Sequence, residues 1–89
     1  MRYRIYTTKT FDRSLKKLSK AEAGRVLEKL DELSEDRSPI HKLKHTPVGM
    51  TGLSRVRVGQ WRVLLWLDKR KKEITLYRVA HRREIYRNL

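Results

Sequence analysis

Cysteine is absent from this chain of 89 residues. Without thiols neither a disulfide framework nor a thiolate metal site can form, and nothing indicates an oxidising compartment, so the cytoplasm is the expected location. Long hydrophobic runs are absent as well. The longest, residues 63–67, is far too short to span a bilayer, and the N-terminus lacks the apolar core of a signal peptide. We therefore expect a soluble protein with no membrane partner.

Acidic side chains are scarce. The chain has 10 Asp and Glu against 23 Lys and Arg, a formal net charge of +13, and no acidic residue occurs between His41 and Leu67. A surface that needed only solubility would mix charges of both signs, so this uncompensated repulsion indicates an anionic partner. A nucleic acid is the first candidate. A membrane surface is a weaker one, because the apolar faces of both predicted helices are needed for the core.

The small size of the chain limits the kind of site it can build. Eighty-nine residues make a single domain, residues 1–89, with one modest core. Such a core cannot enclose a deep substrate cavity. A functional site is therefore expected to be an open, shallow surface.

Hydrophobic periodicity predicts a strand and two helices in the first third of the chain. Residues 2–7 alternate as a strand buried on one side does. Apolar residues from 11 to 18 recur at helical spacing, with Thr10 as the predicted cap. Ser19 followed by Glu22 matches a capping box, and it opens a second apolar stripe that ends near residue 34.

The rest of the chain has the period of strands. Residues 53–58 and 61–67 alternate on either side of a tight turn, and a polar turn leads to a last strand at residues 74–79. Residues 36–52 lose the period and contain both prolines, which predicts a loop or short edge strand. The order is β-α-α-β-β-β with a short C-terminal tail or helix. It predicts an α+β fold in which a helical hairpin covers one face of an antiparallel meander.

Arginine residues are predicted to share the sheet face opposite the core. The alternation places Arg55 and Arg57 on that face, and Arg62 joins them across the turn. The same patch is extended by residues of the last strand and its end, namely Arg78, His81, Arg82 and Arg83. Guanidinium groups hold phosphates through paired hydrogen bonds and stack on bases, so this face is predicted to bind RNA or another nucleic acid.

The same patch offers groups for RNA cleavage without a metal. That reaction needs a base for the 2′-OH, positive charge for the phosphoryl oxygens and an acid for the leaving 5′ oxygen. Arg62 and Arg82 suit charge stabilisation, because a guanidinium keeps its proton near neutrality. His81 and Tyr86 are the titratable candidates. Both have alternatives: Tyr86 can stack on a base or pack against the sheet, and a terminal histidine is often inert.

A metal site and a cofactor are not expected. His41 and His45 have the spacing of ligands on a helix, but the nearby prolines argue against a helix there. The chain also has no glycine-rich phosphate loop and no setting for a nucleophilic serine or cysteine.

Three segments together resemble the RelE/ParE superfamily of toxins, most closely the RelE-like mRNA interferases. They are residues 42–44 (KLK), 55–66 (RVRVGQWRVLLW) and 79–87 (VAHRREIYR). The resemblance implies the toxin of a type II toxin–antitoxin module, which enters the ribosomal A site, cleaves mRNA there by attack of the 2′-OH and so inhibits translation. It also implies three partners: a cognate acidic antitoxin, the ribosome with its rRNA and mRNA, and operator DNA contacted only through the antitoxin complex.

The resemblance also implies roles for single residues. Arg62 matches the hairpin arginine that stabilises charge, and Arg82 and Tyr86 match the C-terminal arginine and tyrosine of these toxins. Our hypothesis is that the leaving-group proton comes from His81 or from ribosomal RNA, while Tyr86 takes the 2′-OH proton. Arg55 and Arg57 match basic residues that these toxins place around the scissile phosphate, and Lys44 matches a basic contact to RNA. With Lys42, Arg78 and Arg83 they make up the predicted RNA-binding residues.

This chain departs from the family pattern at three positions. Arg55 and Arg57 stand where the family has lysines, which favours clamping of phosphate over acid catalysis, and Ser54 replaces an aromatic residue. Two alternatives stay open. A ParE-like toxin would bind and poison DNA gyrase without cleaving RNA, and a catalytically inactive module would bind RNA only.

Overall fold

A computed structural model describes residues 2–36, 40–42 and 52–85 of the protein. Their elements are β1 (Arg4–Thr7), α1 (Lys9–Leu15), α2 (Lys20–Ser34), β2 (His41–Lys42), β3 (Leu53–Val58), β4 (Trp61–Asp68) and β5 (Glu73–His81). The strands form one sheet in the order β1-β5-β4-β3-β2. The predicted α+β order of a strand, two helices and an antiparallel meander is confirmed.

The sheet has two features beyond that prediction. β1 pairs in parallel with the first half of β5, whereas the other neighbouring strands are antiparallel. A parallel pair needs a long crossover connection, and the two helices begin that connection. The short β2 pairs with β3 at the opposite edge, within the segment that the sequence assigns to a loop or edge strand.

α1 begins one residue after Thr8, whose hydroxyl has two roles. Thr8 Oγ1 accepts a hydrogen bond from the Phe11 N–H at 3.1 Å, and it donates to the carbonyls of Leu76 and Tyr77 at 2.9 and 3.2 Å. The predicted cap, Thr10, is therefore two residues too late. The local pattern misses the correct position because the partners that fix Thr8 lie in β5, far along the chain.

α2 has the predicted capping box. Ser19 Oγ accepts from the Glu22 N–H at 3.2 Å, and Glu22 Oε1 accepts from the Ser19 N–H at 3.1 Å. Both hydrogen bonds satisfy amide groups that the first helical turn leaves without partners. The helix ends at Ser34, as the apolar stripe predicts.

The main core lies between the helices and one face of the sheet, here called the helix side. Its buried residues include Phe11, Val26, Leu30, Leu33, Val56, Val58, Val63, Leu65, Ile74, Leu76 and Val79. A smaller buried cluster covers part of the other face. It consists of Leu53, Leu64, Ala80 and Ile85, with Trp66 and Tyr77 packed against it.

A β-bulge changes the direction of side chains halfway along β5. Leu65 pairs with Leu76 and Leu64 pairs with Arg78, so Tyr77 is the extra residue. Strict alternation from Leu76 would place Arg78 on the helix side. The bulge instead places Arg78 on the face of Leu64, opposite the helices.

The helices of the described segments are short. Neither α1 nor α2 is long and apolar enough to cross a membrane.

Candidate functional site

Four arginines occupy two neighbouring rungs on the sheet face opposite α1 and α2. On one rung Arg57 pairs directly with Arg62 across β3 and β4. On the next, Arg55 and Arg78 flank Leu64, which is fully buried. We call these four residues the arginine face. Like charges directly opposite one another destabilise a sheet, so the Arg57 and Arg62 rung is expected to attract an anion that offsets this repulsion.

The guanidinium of Arg62 is held by the turn between β3 and β4. Its Nη1 atom donates to the carbonyl oxygens of Gly59 and Trp61, both at 2.9 Å. Gly59 has a φ of 60°, a conformation that glycine adopts without steric cost and that this two-residue turn requires. A guanidinium held in this way loses less side-chain entropy when it binds a phosphate.

Residues 82–85 form a turn that folds onto the arginine face, and we call them the C-terminal turn. The Arg82 N–H donates to the Gln60 carbonyl at 2.8 Å, and the Ile85 N–H donates to the His81 carbonyl at 3.0 Å. Ile85 has no exposed surface and belongs to the buried cluster of Leu64. The turn thereby carries the exposed side chains of Arg82 and Arg83 to the end of β5, beside the β3–β4 turn.

His81 lies on the helix side. It pairs with Trp61, whose indole packs against the main core, and the two rings meet edge to face with centroids 5.7 Å apart. The indole Nε1 in turn donates to Glu22 Oε2 at 2.8 Å. The sequence predicts His81 and Arg62 in one patch, but the register places them on opposite faces of the sheet. Successive side chains of a strand point to opposite faces, so a shift of one residue along the strand is enough to move a side chain to the other face.

Both ring nitrogens of His81 have partners within the protein. Nε2 lies 3.1 Å from Gln60 Oε1, and Nδ1 lies 3.2 Å from the Arg83 amide nitrogen. The imidazole therefore sits between the β3–β4 turn and the C-terminal turn.

The carboxyl group of Glu22 has an altered titration. Hydrogen bonds from Ser19, followed by the one from the Trp61 indole, hold the pKa of Glu22 below its ordinary value. These donors stabilise the charged carboxylate more than the neutral acid. Glu22 thereby joins the start of α2 to the ring pair of Trp61 and His81.

Of the remaining predicted residues, the structure describes the backbone of one, Lys42. The backbone of Lys42 pairs with Ser54 at the edge of β3, and Ser54 is buried. Lys44 and Tyr86 lie outside the described residues. Sequence reasoning missed Ile85 and Gln60. The signal for Ile85 was present, since it is the one aliphatic residue in the charged segment 81–88.

Across residues 2–36, 40–42 and 52–85, no three His, Cys, Asp or Glu side chains converge as metal ligands would. His45, one member of the histidine pair considered above, lies outside this part of the chain.

Comparison with known proteins gives similarity at the level of structure. No protein-family model and no curated protein matches the chain. A chain of the RelBE2 toxin–antitoxin complex from Mycobacterium tuberculosis superposes with a TM-score of 0.78 at 26% identity, covering 91% of this chain and 99% of that one. For the RelE–RelB complex of Pyrococcus horikoshii the TM-score is 0.72 at 27% identity, with 94% and 99% covered.

The chain has the RelE-like toxin fold. The isolated RelE toxin of E. coli, which is 16% identical, shows the same fold with a TM-score of 0.70 and coverage of 89% and 83%. Together these neighbours show that the chain shares the fold of RelE toxins.

Proposed function

We propose that this RelE-like chain is the toxin of a type II toxin–antitoxin pair and that it cleaves mRNA in the ribosomal A site. The observation that carries the proposal is the direct pairing of Arg57 with Arg62, with Arg55 and Arg78 on the next rung. Four guanidinium groups on one open face, in a chain of net charge +13, suit the phosphates of a single RNA strand better than they suit one small anion.

In the proposed reaction the arginine face supplies positive charge. Arg57 and Arg62 hold the scissile phosphate and stabilise the charge that develops on its oxygens. Arg82 approaches from the C-terminal turn and adds to this field. The flanking cations contact the RNA on either side and comprise Lys42, Lys44, Arg55, Arg78 and Arg83.

Proton transfer is assigned to Tyr86 and to the ribosome. Tyr86 directly follows Ile85 in the sequence, and Ile85 is buried in the cluster of Leu64 beside the arginine face. We propose that its phenol takes the 2′-OH proton in the field of the arginines, which favours the phenolate. His81 lies on the helix side with both nitrogens engaged, and this geometry favours ribosomal RNA as the source of the leaving-group proton. The proposed reaction needs no metal ion.

We also propose an acidic antitoxin as the partner that silences the chain. The arginine face and the C-terminal turn form a basic surface to which an acidic, partly disordered segment can fold. Operator DNA would be contacted only through that complex. The proposal is supported by the two toxin–antitoxin complexes among the structural neighbours.

The test is to map the 5′ ends of mRNA on translating ribosomes with and without the protein. Cuts in register with the reading frame are expected, and Arg62→Ala should reduce them by about a hundredfold. Arg13→Ala is the matched control, because Arg13 is an exposed arginine on α1. Intact transcripts with halted replication would indicate a gyrase poison instead. Ribosome binding without cuts would indicate an inactive RNA-binding module.

A further inference from the structure

The contacts of His81 define its tautomer. The Arg83 backbone N–H can only donate, so Nδ1, at 3.2 Å, must be an acceptor without a proton. The neutral ring then carries its proton on Nε2, which donates to Gln60 Oε1 at 3.1 Å. In this arrangement each nitrogen has a defined hydrogen-bonding role.

The ring is oriented from three directions. The Trp61 indole meets it edge to face, and Glu22 fixes that indole from the start of α2. Gln60 holds Nε2 from the β3–β4 turn. On the remaining side, Nδ1 holds the amide of Arg83, the second residue of the C-terminal turn. A ring fixed by α2 and by the β3–β4 turn therefore sets where the C-terminal turn begins.

We propose that His81 is a positioning residue that holds the C-terminal turn through Nδ1 in its neutral form and releases it when Nδ1 is protonated. Protonation converts Nδ1 from an acceptor into a donor, so two N–H groups would face each other at Arg83 and the hydrogen bond would be lost. The turn carries Arg82, Arg83 and the anchor Ile85. Its release therefore removes two positive charges from beside the arginine face. The effect on cleavage rests on the proposed function, whereas the hold on the turn does not.

Charged groups from every neighbouring element face the ring. It borders a cavity of about 260 Å³ that is also lined by Lys17 of the turn after α1, Arg78 of β5 and Glu84 of the C-terminal turn. Glu22 of α2 lies behind Trp61, and the turn adds Arg82 and Arg83. Charged groups of both signs therefore surround the imidazole.

Amide substitutions separate positioning from proton transfer. An asparagine at 81 places an oxygen near the position of Nδ1, whereas a glutamine reaches toward Nε2; neither transfers protons near neutral pH. We expect His81→Asn to cleave mRNA nearly as well as the unsubstituted protein, and His81→Gln and His81→Ala to lose roughly five- to tenfold, the equivalent of about one hydrogen bond. Equal loss of activity in all three variants would overturn the positioning role.

The second measurement needs no RNA. Hydrogen exchange of the Arg83 amide in the full chain should show protection that His81→Asn keeps and His81→Gln loses. In the unsubstituted protein this protection should fall as the imidazole titrates, and imidazole ¹⁵N shifts at neutral pH should report a proton on Nε2. A proton on Nδ1, or equal Arg83 protection in every variant, would overturn the proposal whatever the cleavage assay shows. If the exchange results hold while the unsubstituted protein cuts no mRNA, only the proposed function fails.

Discussion

Ile85 packs in the same buried cluster as Leu64, on the sheet face opposite the helices, and neither side chain is exposed. Ile85 comes from the C-terminal turn, whereas Leu64 lies in the middle of β4 between Arg55 and Arg78. Their burial in one cluster therefore places the turn over the center of the arginine face. An apolar anchor thus determines where the charged residues around it are presented.

Truncating Leu64 should destabilise the protein more than truncating Ile85. Leu64→Ala leaves a cavity in a central strand and should lower the free energy of unfolding by about 2–5 kcal/mol. Ile85→Ala should cost less, because the C-terminal turn can detach while the sheet stays folded. Urea denaturation measures both. Leu27→Ala is the control, since Leu27 is 54% exposed and should change stability by less than about 0.5 kcal/mol. A larger loss for Ile85→Ala than for Leu64→Ala would contradict this prediction.

Removing one charge from the Arg57 and Arg62 rung should have opposite effects on stability and function. Arg57→Ala relieves repulsion between directly paired like charges and should raise the free energy of unfolding by about 0.2–1 kcal/mol at low salt. The gain should shrink in high salt, because ions screen exposed charges. The same variant should bind single-stranded RNA more weakly than Arg13→Ala does. A fall in stability at low salt would show that the rung is not repulsive.

The Glu22 carboxylate should make stability depend on acidic pH. Its folded pKa lies below the ordinary value of 4.5, so its contribution is complete above that pH and is lost as the pH falls through the lower, folded pKa. Unfolding monitored by tryptophan fluorescence should therefore show decreasing stability on acidification. Glu22→Gln should flatten this dependence. Glu28→Gln, at an exposed position of the same helix, should leave it unchanged. Identical pH profiles for the two variants would refute the assignment.

The Ser14 hydroxyl should stabilise β5 at the edge that β1 does not cover. β1 pairs with β5 only as far as Leu76, and beyond it Ser14 Oγ accepts a hydrogen bond from the Val79 N–H at 3.0 Å. Ser14→Ala leaves this amide without its partner and should cost about 1–3 kcal/mol of unfolding free energy. Ser34→Ala serves as the control, because the Ser34 hydroxyl donates to the Asp31 carbonyl within its own helix. Thermal unfolding that shifts equally in both variants would argue against a special role for Ser14.

Much of the fold follows from patterns within neighbouring residues. The capping box at Ser19 and Glu22, the end of α2 and the hairpin turn at Gly59 all occur where the sequence predicts them. Each depends on hydrogen bonds or side-chain alternation over a few residues, so the information is local. The arginines of β3 and β4 share a face for the same reason.

The site as a whole could not be predicted in this way. Arg78 reaches the arginine face only because of the bulge at Tyr77, which the pairing with β4 creates. His81 points to the helix side because its partner is Trp61, and Ile85 closes onto Leu64 from outside any helix or strand.

Composition and periodicity by themselves therefore determined the α+β order, the helix start at Ser19 and the excess of positive charge, because neighbouring residues encode these properties. Only the tertiary structure decided which charged and titratable groups meet. Strand register and the packing of the C-terminal turn depend on contacts between residues far apart in the chain. A shift of one residue in a strand moves a side chain to the opposite face, as the positions of Arg78 and His81 show.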